Sequence, residues 1–169
     1  MKIEDYPPQD PLSEIGKLYH ARVLELARNT AAEECSYGND PYQAVAVFAA
    51  PEPNGNVLVF GHGGGWTTGY KEWMEFMAPA LNAAGITFVS IGYRLAPEHV
   101  FPAGFEDWVS AVTWVHGNIA ERGGNPDRIF LGGHSAGGHY ASLLGVRRDW
   151  QEAAGLPRDV LRGCLPVSG

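Results

Sequence analysis

The segment that most constrains this chain is Gly133-His134-Ser135-Ala136-Gly137. It lies between the apolar run Ile129-Phe130-Leu131 and a helical stretch from Ala136 to Gly145. A serine with a glycine two residues away on each side fits a sharp strand-to-helix turn. The serine takes a strained backbone conformation there, and the strand and helix pass so close that a Cβ at either glycine would clash. The first N–H groups of the outgoing helix point at the same spot and favour developing negative charge. Taken alone, the pattern also fits a glycine-rich turn with an exposed serine.

A second motif narrows the choice. His62-Gly63-Gly64-Gly65-Trp66 follows the continuous apolar run Val57-Leu58-Val59-Phe60, which reads as a strand buried on both faces. Successive glycines let the backbone turn its N–H groups into a cavity with no side chain in the way. Two of the Gly63, Gly64 and Gly65 amides, with the Ala136 amide, would hold a tetrahedral oxyanion, and Gly64 and Gly65 are the preferred pair. Each such donor is worth roughly 2.7–4 kcal/mol of transition-state stabilisation. A phosphate-binding loop is the competing reading. The spacing is not G-x-G-x-x-G, and no G-x-x-x-x-G-K-[ST] occurs. His62 reads as a brace for the loop rather than a base.

The rest of the chain supplies a matching frame. Residues 1–11 read as a Pro-rich, acidic, extended arm. Residues 12–28 read as an amphipathic helix with Ser13 as N-cap and Ile15, Tyr19, Val23 and Leu26 on one face. Strands are expected at 44–48, 57–60, 86–91 and 128–131, with a further candidate at 161–167. Helices are expected at roughly 70–84, bent by Pro79, at 104–122, and at 136–145. In the first of these, Trp73, Phe76, Met77, Ala80 and Leu81 share a face. Strands alternating with helices imply a parallel sheet with right-handed crossovers, and ligands of such sheets sit at the carboxyl ends of the strands.

Composition removes several function classes. The formal net charge is −7, which argues against nucleic acid or an anionic membrane surface. No apolar run is long enough to span a bilayer, and Met1-Lys2-Ile3-Glu4-Asp5-Tyr6 lacks the apolar stretch of a secretory signal. Cys35 and Cys164 show no metal spacing and are expected to be free, buried thiols in a reducing, cytoplasmic setting. His62, His99 and His134 could gather a metal on paper, but no ligand spacing supports it.

The two glycine motifs, together with Tyr93-Arg94-Leu95-Ala96-Pro97-Glu98-His99 and Phe101-Pro102-Ala103, resemble the hormone-sensitive-lipase-like branch of the α/β-hydrolases. Tyr37-Gly38, Pro41 and Gln43 are similar to the opening of the kynurenine formamidase and small esterase group, and His134 stands where lipase-like members more often carry Asp. The resemblance implies an α/β-hydrolase fold, a mostly parallel sheet with helices on both faces. Residues 1–30 would be the arm and a cap-like helix, and 31–169 the N-terminal portion of the hydrolase domain. It implies a hydrolase of carboxylic esters or aryl formamides that needs no cofactor, in which Ser135 attacks the carbonyl carbon. A histidine would then shuttle the proton, and an Asp or Glu would orient that histidine. Arg94–Glu98 and the Glu106-Asp107 pair read either as bracing of the site or as surface charge.

That mechanism needs an acid and a histidine after the serine. The 34 residues following Ser135 offer His139, Asp149, Glu152 and Asp159. His139 belongs to the helix leaving the turn and reads as a residue lining or bordering the pocket, Asp149 and Glu152 read as solvated, and Asp159 precedes the last strand candidate. The last residues resemble the strand before the acidic loop. The expectation is therefore a hydrolase domain lacking its C-terminal strands and helices, with an unpaired apolar sheet edge. It would be inactive until a C-terminal fragment or second chain supplies the acid and His. The alternative is a non-catalytic domain that binds acyl or aromatic ligands, or a partner, through that edge. Trp66, Tyr70, Trp73 and Phe101, with His134 and His139, are candidates for an aromatic-lined pocket taking a small acyl ester or formamide. For the four aromatics, ordinary core packing is the other reading.

Overall fold

A computed structural model describes residues 2–169. Six strands form one sheet in the order β1-β2-β4-β3-β5-β6: β1 (Glu33–Ser36), β2 (Ala44–Phe48), β3 (Gly55–Gly61), β4 (Thr87–Ile91), β5 (Gly124–His134) and β6 (Leu161–Val167). β3, β4, β5 and β6 run parallel, whereas β2 is antiparallel to β4 and β1 antiparallel to β2. The sheet is thus mixed, with parallel pairing at its functional centre.

Side chains alternate across the central strands, and each face finds helices. Val45, Val47, Val57, Val59, Val89, Ile91, Ile129 and Leu131 point to one face. They pack against α3 (Ala103–Asn118) and α4 (Ala136–Val146) through Trp108, Val112, Tyr140 and Leu144. Ala46, Phe48, Leu58, Phe60 and Phe88 point to the other face. There they meet α1 (Glu14–Ala27), a 3-10 segment Lys71–Met77 and α2 (Ala78–Ala83). Burial on both faces explains the unbroken apolar runs in sequence. Over β5 and β6 the second face stays open. Phe130 is 36% exposed and Leu165 55% exposed, and with Leu58 and Leu81 they line a shallow apolar concavity.

Several elements differ from the sequence reading, each for a local reason. β1 is absent from the expected strands because Glu33-Glu34-Cys35-Ser36 carries no apolar pattern; it forms by pairing with β2. The expected helix over 70–84 is divided, with Pro79 in the first turn of α2. The 3-10 period buries Lys71, Glu72, Trp73 and Met74 and leaves Phe76 and Ala80 exposed, so the expected apolar face does not form. In α1, Ser13 caps Gly16 N at 3.1 Å as its position predicts. The buried stripe, however, is Val23 and Ala27, while Ile15 and Leu26 are 80% and 49% exposed. The helix expected over 104–122 ends as α3 at Asn118, and a 3-10 turn runs on to Gly123 at φ 77°. A fifth short helix, α5 (Asp149–Ala153), buries Trp150 within the polar stretch. Both cysteines are free, but neither is buried. Cys35 is half-buried and Cys164 exposed, because β1 and β6 are the edge strands.

The N-terminal arm is likewise docked rather than loose. Ile3–Asp5 form a 3-10 turn, and Tyr6 is 8% exposed. Its hydroxyl donates to Glu72 Oε1 at 3.0 Å and accepts from Lys71 Nζ at 2.9 Å. The fully buried Lys71 also pairs with Glu34 at 3.0 Å and Glu72 at 2.5 Å. Burial pulls its pKa down, but the Glu72 and Glu34 carboxylates outweigh that and hold it above the ordinary lysine value. Replacing Tyr6 by Phe strips a hydroxyl from a buried charge pair. The expected loss is about 1–3 kcal/mol, read as a lower urea midpoint at unchanged slope. An unshifted midpoint would mean that the arm contributes nothing to stability.

Candidate active site

The parallel register brings three strand ends together. Gly61 of β3 is aligned with Ile91 of β4 and Gly133 of β5. The loops that follow are His62–Tyr70, Gly92–Pro102 and the turn at Ser135. All therefore open on one edge of the sheet, where ligands of open α/β sheets bind.

Ser135 sits between β5 and α4 with φ 50° and ψ −116°, a conformation L-residues rarely adopt. A Cβ on Gly133 would collide with the Gly137 carbonyl group, and one on Gly137 would lie 2.5 Å from the His62 carbonyl oxygen. The glycine spacing is therefore required by the crossing of β5, α4 and the end of β3. Ser135 N donates to Val167 O at 2.8 Å, which ties the turn to the end of β6.

Gly63 lies under the serine, where an added Cβ would be 3.1 Å from Ser135 Cβ and 2.9 Å from His134 Nδ1. Gly64, at φ 125°, curls back so that its carbonyl accepts from Thr67 N at 3.2 Å and Thr68 N at 3.0 Å. Gly65, at φ 60°, faces open space. Among the described residues, the amides of Gly64 and Gly65 donate to no protein acceptor. Ala136 opens α4, so its amide is one of the orphan donors of a helix start.

His62 is fully buried. Its ring stacks on Tyr93 at 4.4 Å, and its Nδ1 is 2.7 Å from Gly63 O. Burial, only partly opposed by that carbonyl, pulls its pKa down to about 4. The ring is therefore neutral near pH 7, and Nδ1–H donates to the loop. Tyr93 OH holds the His62 carbonyl at 2.8 Å, and Ala96 N holds Trp66 O at 2.9 Å. Arg94 forks onto Asp107, with Nη2–Oδ1 at 2.8 Å and Nε–Oδ2 at 2.9 Å. Asp107 also accepts from Arg94 N and from Gln43 Nε2, each at 2.7 Å. This resolves the two readings of Glu106-Asp107, since Asp107 is a buried brace while Glu106 faces solvent.

The expected pocket residues divide between two cavities beside the glycine loop. One, of about 580 Å³, is lined by Gly63, Gly64, His134, Trp73, Tyr19 and Leu12. The other, of about 280 Å³, is lined by Trp66, Phe101, His139, Arg94 and Tyr140. Tyr70 lines neither, and packs on Tyr6 and Trp73. His20, not singled out in sequence, accepts from Trp73 Nε1 at 2.9 Å and fixes that wall. Its place at one turn of an amphipathic helix gave no signal of this. No histidine or carboxylate among the described residues hydrogen-bonds Ser135 Oγ. His139 lies on α4 against Trp66, with ring centroids 5.5 Å apart. Asp149, Glu152 and Asp159 pair with Arg147, Arg158 and Arg162 at the surface. Among the described residues the histidines do not gather as metal ligands. The carboxylates close enough to share an ion are Glu34, Glu72 and Glu75, and the Lys71 ammonium already pairs with the first two.

Two outcomes follow from this geometry. Gly137→Ala forces a methyl group into the Gly61 and His62 carbonyls at the end of β3, so a loss of about 3 kcal/mol or more is expected in denaturant unfolding. Wild-type stability there would refute the crossing. For His62, burial holds the folded pKa below the ordinary histidine value of about 6.5. Its contribution is complete above about pH 6.5 and is lost as pH falls towards 4, by about 3 kcal/mol in all. In urea unfolding at a series of pH values, His62→Asn should be less stable at pH 7 and show a shallower decline on acidification. Parallel profiles would contradict the buried, neutral ring.

A family profile described as the alpha/beta hydrolase fold matches residues 58–165. Carboxylesterase NlhH of Mycobacterium tuberculosis is 40% identical over 126 residues, covering 71% of this chain and 39% of that protein. Esterase LipC of the same organism is 34% identical over 147 residues, covering 84% and 35%. The chain thus spans well under half the length of these curated relatives. Among solved structures, a hyperthermophilic esterase from Pyrobaculum calidifontis superposes with a TM-score of 0.71 at 24% identity, over 90% of this chain and 51% of that one. No helix among the described residues is long and apolar enough to cross a membrane. The matched profile spans both glycine motifs, most of β3, all of β4 and β5 and most of β6, and the chain belongs to the alpha/beta hydrolase fold family.

Proposed function

We propose that this chain carries the nucleophile and the oxyanion site of a serine hydrolase acting on small carboxylic esters. The observation that carries the reading is Ser135 at φ 50° at the head of α4, facing a loop whose Gly64 and Gly65 amides have no protein acceptor. Ser135 Oγ would add to the substrate carbonyl carbon. The carbonyl oxygen would take up the negative charge between the amides of Gly64, Gly65 and Ala136, with the α4 N-terminus adding its dipole. Collapse of the tetrahedral adduct would expel the alcohol and leave an acyl-serine, which water then cleaves. His62 and Trp66 hold the loop, and the cavities flanking it take the acyl and alcohol parts of the substrate. The carboxylesterase relative at 40% identity supports an ester over an aryl formamide. Of the residues similar to the formamidase and small esterase group, Gln43 donates to the Asp107 brace, Gly38 packs on Gln43 and Tyr37 OH donates to Gly92 O.

The proton shuttle and its orienting acid are assigned to a further polypeptide segment that pairs with the free edge of β6 and covers Phe130 and Leu165. Two features support that docking: the exposed apolar side chains there, and the Val167–Ser135 hydrogen bond that links the edge to the turn. The two free cysteines agree with a reducing compartment such as the cytoplasm.

The test is hydrolysis of p-nitrophenyl acetate by the chain alone and in complex with the segment that supplies the histidine and acid. Turnover is expected only in the complex, and Ser135→Ala should lower it by roughly 10⁴–10⁶-fold. Equal turnover by wild type and Ser135→Ala would sink the proposal. Comparing kcat/KM for N-formylkynurenine with that for short p-nitrophenyl esters separates the chemistries, and the esters are expected to win.

A further inference from the structure

The N-terminal arm makes one contact that neither its composition nor its docking through Tyr6 requires. Gln9 Oε1 accepts from Gly69 N at 2.8 Å, while Gln9 Nε2 donates to Gly69 O at 2.9 Å and to Tyr42 OH at 2.8 Å. The side-chain amide thus grips both polar groups of one glycine 60 residues away and engages both of its N–H donors and its carbonyl oxygen. Tyr42 OH in turn donates to Pro7 O at 3.2 Å, which holds the arm two residues before the contact.

Gly69 is no ordinary anchor point. It has φ 121° and is buried, and any Cβ there would run into His62 Nδ1 and lie 2.5 Å from Gly63 O. Its peptide therefore lies directly on the His62–Gly63 hydrogen bond that shapes the glycine loop. The line of contact runs from Gln9 to Gly69, to His62 and Gly63, and then to Ser135. The 580 Å³ cavity has the arm as one wall and this loop as the other, and a neighbouring cavity of about 500 Å³ lies between the arm and the Leu95–His99 segment, with Thr67 of the loop at its edge.

We propose that Gln9 is a positioning residue: through its paired hydrogen bonds to Gly69 it fixes the Gly63–Gly65 amides in the geometry that receives the oxyanion. The inference rests on the oxyanion role assigned to that loop. It makes the arm part of the active-site apparatus, and detachment of the arm a way to relax that apparatus without unfolding the sheet.

Backbone amide NMR on the full chain tests this without reading turnover. The set is wild type, Gln9→Ala, Gln9→Glu and, as a control on the same arm, Glu4→Ala. Gln9→Glu keeps the size and an acceptor for Gly69 N but removes both donated bonds. In both Gln9 variants the Gly63, Gly64 and Gly65 amide resonances should move. Hydrogen exchange at Thr67, Thr68 and Gly69 should rise roughly tenfold or more, while Val89 and Ile91 in β4 keep wild-type exchange. Glu4→Ala should match wild type throughout. The proposal is overturned if only Gly69 responds, if exchange rises uniformly across the sheet, or if Gln9→Glu behaves as wild type, since that would leave packing alone. A loosened loop in a complemented enzyme with unchanged ester turnover would instead count against the oxyanion assignment and leave the Gln9 clamp standing.

Discussion

Three backbones cross beneath Ser135 at a separation that admits no Cβ, and the rest of the structure is arranged around that crossing. The end of β3, the end of β5 and the first turn of α4 meet through Gly61, Gly133 and Gly137. Close-packed interiors resist such a strained point unless the surroundings over-determine it. Here they do so from several directions. β5 is paired on both sides, by β3 and β6, and Trp108 of α3 fills the space at Gly61 that a side chain would otherwise occupy. The turn has little freedom to relax, so the serine hydroxyl is presented at the top of the sheet without rearrangement.

Around this point the protein uses buried polar groups as spacers for loops that have no secondary structure of their own. Asp107 gathers Arg94, the Arg94 amide and Gln43, joining the loop after β4 to the segment before β2. Lys71 and Glu72 do the same for the arm through Tyr6. Each group has its partners, which is the condition under which buried charge is tolerated. The same network explains why a loop as rich in glycine as His62–Gly69 holds one shape.

The frame and the reactive turn were legible in the sequence because they rest on local, repeating constraints. Unbroken apolar runs mark doubly buried strands, and glycines flanking Ser135 mark a crossing that excludes side chains. What escaped the reading rests on long-range pairing. β1 is a strand only because β2 is beside it, and its glutamates carry no pattern. The helix over 70–84 is divided because burying Lys71 and Glu72 beside Tyr6 favours the tighter 3-10 winding over an apolar α-helical stripe. Gln9 and His20 act across 60 and 53 residues, and no window of sequence contains both ends of either contact. The two cavities were likewise hidden, since Trp66 and Trp73 lie near each other in sequence yet line opposite sides of the loop.

The hydrogen bond from Ser135 to the carbonyl of Val167 gives the sheet edge a mechanical meaning. β6 pairs with β5 on one side and, among the described residues, has no strand on the other. β5 and β6 are paired from Ile129 to His134, and the Ser135–Val167 bond extends that pairing into the turn, with Gly169 packed against Gly138. The edge strand is therefore part of the serine's own scaffold, since the last residues of β6 complete the hydrogen bonding of the turn.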